Sequence, residues 1–80
     1  EAEYFAEANY QKLQSEMAEG KGEHIVAFAK IMGCSDAAAS KAGAILQNNY
    51  ERVFSSDKVL PNKMLEASAD VIYGSSLGCK

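Results

Sequence analysis

Five of the six glycines, at positions 20, 22, 33, 74 and 78, and the single proline, Pro61, stand between stretches whose apolar residues recur every three to four positions. That recurrence is the helix period, and no stretch alternates in the manner of a strand. The spacing predicts an all-α chain with four helices, near residues 4–18, 23–32, 36–54 and 61–73. In the first, Phe5, Ala8, Leu13 and Met17 share a face. In the second, Ile25, Phe28, Ala29 and Met32 recur at i, i+3, i+4 and i+7, and Gly33 supplies a stop. Ser35 is the expected N-cap of the third helix. Leu60 precedes proline and so favours extended backbone, and Pro61 suits the first turn of the fourth helix. Short connections between amphipathic helices imply a single compact bundle over residues 1–80, with 75–80 as a C-terminal tail.

Eighty residues bury a modest core, and this one is thin. Thirteen of the hydrophobic residues are alanine, and there is no tryptophan. Small domains of this kind need a staple or a partner. Alanines 37, 38, 39, 42 and 44 crowd the first half of the third helix, with Gly43 among them. Ala38, Ala39, Ala42 and Gly43 make a smooth strip that lets another helix approach closely, and they are the expected interaction face. Asn49 lies further along the same inner stripe. It is expected to be a structural polar residue that hydrogen-bonds a neighbouring loop backbone, with the Gly20–Gly22 turn as the nearest choice. A polar ligand contact is the alternative.

The formal net charge is −3. Residues 1–33 carry six glutamates against three lysines, and the remainder carries five charges of each sign, so the whole excess sits in the first part. Scattered, outnumbered basic residues argue against a nucleic-acid role. The acidic excess reads as a solvated helix face, with a docking face for a basic partner as the sharper alternative. No apolar run approaches a membrane span. The chain starts at Glu1-Ala2-Glu3 without methionine, as a mature or trimmed form would.

Cys34 and Cys79 are the two cysteines. Neither has a companion at metal-ligand spacing, so no zinc site is expected. A Cys34–Cys79 disulfide would tie the junction of the second and third helices to the tail, with two free buried thiols as the alternative. In the chain-entropy treatment, closing a loop of this length stabilises the fold by roughly 4 kcal/mol. A disulfide also implies an oxidising compartment, periplasmic or extracellular.

No catalytic set emerges. His24 is the only histidine, and an acid–base site would have to join it to Glu19 or Glu23. One histidine and two flexible glutamates make a poor metal site. Gly74-Ser75-Ser76-Leu77-Gly78 spells G-x-S-x-G. It follows a helix at the chain end, whereas a nucleophile elbow needs a strand before it and a helix after it. Gly20-Lys21-Gly22 is too short to cradle a phosphate. No cofactor is expected.

Two stretches carry a resemblance. One is Phe5-x-x-x-Asn9-x-x-x-Leu13 with Glu16-Met17-Ala18-Glu19-Gly20-Lys21-Gly22-Glu23 after it. The other is Ala27-Phe28-Ala29-Lys30-Ile31-Met32-Gly33-Cys34, with Gln47-Asn48-Asn49-Tyr50-Glu51-Arg52-Val53-Phe54 further on. Together, over about residues 5–72, they resemble the C-terminal region of a domain-of-unknown-function family of small exported proteobacterial proteins. The chain lacks the glycine- and cysteine-containing segment that members often carry upstream, and many members lack cysteines at the places of Cys34 and Cys79. The resemblance implies export from a bacterial cell and carries over no catalytic or binding residue.

The expected function is therefore non-enzymatic: an exported helical module that binds a protein partner or assembles with itself. A small carrier of a lipid or other apolar ligand is the alternative.

Overall fold

The computed structural model describes residues 1–79. Lys80, the last residue of the expected tail, lies outside the described residues. The described chain is all-helical: α1 (Ala2–Ala8), α2 (Tyr10–Glu19), α3 (Glu23–Ile31), α4 (Asp36–Asn48), α5 (Tyr50–Val53) and α6 (Pro61–Tyr73). It folds into one body of 31 × 25 × 20 Å.

Six helices replace the expected four because two asparagines interrupt the two longest periodic segments. Asn9 leaves helical geometry at φ −120°, ψ 25°, and Asn49 does the same at φ −116°, ψ 23°. Each side-chain amide donates to the carbonyl four residues back, Asn9 to Phe5 at 3.3 Å and Asn49 to Ile45 at 2.9 Å. A short amide side chain competing for a helix carbonyl disturbs the ladder at that point. The path nevertheless continues, since Leu13 N–H donates to Asn9 O and Val53 N–H to Asn49 O. The break rotates the apolar face: Ala6 is buried in α1, while Ala8, expected inside, is exposed.

Local signals set the remaining boundaries. Gly33, at φ 101°, takes the left-handed conformation beyond α3. Around it, Gly33 N–H donates to Lys30 O and Cys34 N–H to Ala29 O, the paired bonds of a Schellman ending. The Ser35 hydroxyl accepts from Ala38 N–H at the start of α4. Pro61 opens α6.

The core is built from Leu13, Met17, Ile25, Phe28, Leu46, Val53, Met64 and Ile72, all essentially inaccessible, with small alanines between them. Phe5 stacks on Phe28 with ring centroids 5.9 Å apart, which binds α1 to α3. The Tyr10 and Tyr50 rings both pack on Phe54, and the Tyr10 hydroxyl donates to Val59 O, pinning the connection between α5 and α6. At the other end the Tyr73 hydroxyl donates to Met32 O at 2.6 Å. The Cys34–Cys79 disulfide is formed, with Cα atoms 4.2 Å apart. It fastens the tail across the corner between α3 and α4, and Leu77 packs against the core beside it.

Candidate functional site

The alanine strip does not face outward. Ala38, Ala39, Ala42 and Gly43 are all buried within the chain's own bundle, so the expected interaction face is corrected to an internal contact. Small side chains do permit close approach here, but the approaching partner is the turn after α2. A Cβ on Gly43 would lie 2.5 Å from Gly20 O and 3.1 Å from Lys21 Cα. The thin core is thus closed by backbone packing directly on backbone.

Asn49 is likewise corrected. Its amide reaches back along its own helix to Ile45 O instead of crossing to the Gly20–Gly22 turn. Gln47 makes that crossing: its amide nitrogen donates to Ala18 O at 2.9 Å, and its side chain lies against Gly20. Two positions along a helix lie on nearly opposite sides of it, so Gln47 and Asn49 meet different neighbours.

His24 has a carboxylate partner, but neither Glu19 nor Glu23, which are exposed. Glu16 reaches over from α2. Its Oε1 accepts the backbone N–H groups of His24 and Ile25 at 2.9 and 3.0 Å, and its Oε2 sits 2.6 Å from His24 Nδ1. These N–H groups are two of those a helix start leaves without internal partners, and α3 has no capping side chain of its own because its N-cap is Gly22. Gly22, at φ 149°, also clears the space, since a Cβ there would overlap the Glu16 carboxylate. Burial alone would raise the Glu16 pKa. The hydrogen bonds from the His24 ring and from the Ile25 and His24 N–H groups, with attraction to a charged imidazole, outweigh it and hold the pKa below its ordinary value of 4.5. Both carboxylate oxygens are engaged in holding α3. The spacing Glu16-x-x-x-Gly20-x-Gly22-Glu23-His24 is the sequence trace of this cap, and a local helix signal does not reach it because the two partners are eight positions apart.

The other chemical candidates disperse. The G-x-S-x-G stretch follows α6; Ser76, at its serine position, is exposed, and the neighbouring Ser75 hydroxyl donates to Ile72 O at 2.6 Å. Among the described residues no three His, Cys, Asp or Glu side chains converge as metal ligands.

What the surface does offer is a trough between α1 and the start of α6. Tyr4 is 75% exposed and Leu60 62% exposed, and both line it with Glu3, Glu7, Pro61 and Asn62. Leu60 stands outward because it occupies the extended N-cap position of α6. A second depression adjoins the first through Glu7 and Pro61 and runs on to Tyr10 and Lys12. Neither Tyr4 nor Leu60 is legible as a surface site, because neither a place on a helix face nor an extended residue before proline says whether another segment covers it.

Over residues 1–77 the chain matches the family described as "Protein of unknown function (DUF3015)", and it belongs to that family. No curated protein and no solved structure matches it.

Proposed function

We propose that this DUF3015 member is an exported, disulfide-tied helical module that works by docking a protein partner. The observation that carries the reading is the shared exposure of Tyr4 and Leu60 in one trough. Single exposed apolar residues need no explanation, whereas adjoining ones on a chain with so few large apolar side chains mark a contact surface. Export is supported by the formed disulfide, since such bonds persist in oxidising compartments. Among the described residues no helix is long and apolar enough to cross a membrane. Self-assembly through α4 loses its support, because that strip is covered by the chain itself.

A photo-crosslinking residue in place of Leu60 tests the docking reading in the protein's own host. A discrete adduct with one protein is expected at position 60 and not at Ala44, an exposed site on α4. Equal labelling at both positions would defeat the reading.

A further inference from the structure

We infer that the trough between α1 and the start of α6 takes a segment of another protein that carries basic residues beside apolar ones. This rests on the docking reading above and names the chemistry of the partner.

The floor is apolar: Tyr4, Leu60 and Pro61 line it side by side. Its wall is negative. Glu3 and Glu7 stand one turn apart on α1, where like charges oppose each other and weaken the helix that carries them. Neither glutamate is paired: the ion pairs among the described residues are His24–Glu16, Lys30–Asp36 and Lys63–Glu66. Two carboxylates held at an internal cost beside exposed apolar side chains complement a cation followed by an apolar residue. Lys12, lining the adjoining depression, gives the trough a polarity. Basic residues of the bound segment belong over Glu3 and Glu7, and a neutral or acidic one over Lys12.

A second copy of this chain is the wrong occupant. Glu3 and Glu7 are the charged residues lining the trough, so two such faces brought together repel.

Three synthetic peptides of equal length decide the matter, read by fluorescence anisotropy and by amide chemical-shift mapping. The first alternates lysine and leucine, the second has serine for leucine, and the third has glutamate for lysine. Only the first is expected to bind, shifting amides in residues 3–12 and 59–62. Glu3→Gln with Glu7→Gln should weaken it roughly fivefold, the size of two exposed ion pairs, and the effect should fade with added salt. Leu60→Ser should weaken it about tenfold or more, the size of one lost apolar contact. All three positions are exposed, and unchanged melting temperatures would show the variants folded. Equal binding of the serine or the glutamate peptide, or binding insensitive to either variant, overturns the proposal. If no peptide binds while the crosslinker at position 60 still captures one protein, the partner chemistry falls and the docking reading stands. If both fail, the docking reading falls with it.

Discussion

Glu16 holds His24 twice: Oε1 accepts its backbone N–H at 2.9 Å, and Oε2 meets its ring Nδ1 at 2.6 Å. One α2 side chain thereby supplies the cap that α3 lacks.

This carboxylate should make the fold acid-sensitive. Its pKa is lower in the folded chain than the ordinary 4.5, so the folded state binds the proton less readily. The stabilisation is therefore fully present above that ordinary value and is lost as pH falls through the depressed folded value. Thermal melts from neutral pH into the acid range should show this decline, and Glu16→Gln should flatten it. At neutral pH, Glu16→Ala should cost about 1–2 kcal/mol, as a lost helix cap does.

Gly22→Ala should be destabilising by about 1–3 kcal/mol, because the backbone at φ 149° strains a side chain and the added Cβ displaces Glu16. Part of that loss is the loss of the cap. The Gly22→Ala, Glu16→Ala double variant should then be less destabilised than the two single losses added together, measured by chemical denaturation.

Gly43→Ala should cost about 1–3 kcal/mol through overpacking, since the Cβ would press on the Gly20 carbonyl. Ala44→Ser, one position away on the exposed side of α4, should change stability by no more than about 0.5 kcal/mol. Equal effects at the two positions would contradict the backbone-on-backbone contact.

Replacing Cys34 and Cys79 with serine should remove roughly 4 kcal/mol of stability in the chain-entropy treatment. Hydrogen exchange should then rise first in residues 75–79, which the bond fastens to the α3–α4 corner. The intact chain should gain 2 Da on reduction, about the mass of two hydrogens.

Tyr10→Phe should cost about 1 kcal/mol, the value of one hydrogen bond, here to Val59 O. Burial, with Tyr50 adding to it, raises the Tyr10 pKa above 10.0. The folded chain thus keeps the phenol proton where the unfolded chain has lost it. Stability should fall as pH rises past 10.0, and the variant should fall less steeply.

Signals acting within a turn or two were legible in the sequence. Apolar recurrence, Ser35, Gly33 and Pro61 located α3, α4 and α6, because caps and stops act through neighbouring backbone groups. The cysteine pair was legible because only two cysteines exist. The helix breaks at Asn9 and Asn49 are not legible in the sequence, and neither is the partner of Asn49: the choice of a carbonyl four residues back over a neighbouring loop depends on the surroundings. The same holds for the larger contacts. Composition established that α4 carries a smooth strip, yet only the tertiary packing determines that the chain itself covers it, with the Gly20–Lys21 backbone against Gly43. The turn likewise brings Glu16 onto α3, and the packing of α1 beside α6 leaves Tyr4 and Leu60 uncovered. Periodicity specifies which residues share a face, and the packing of all six helices decides which faces are closed.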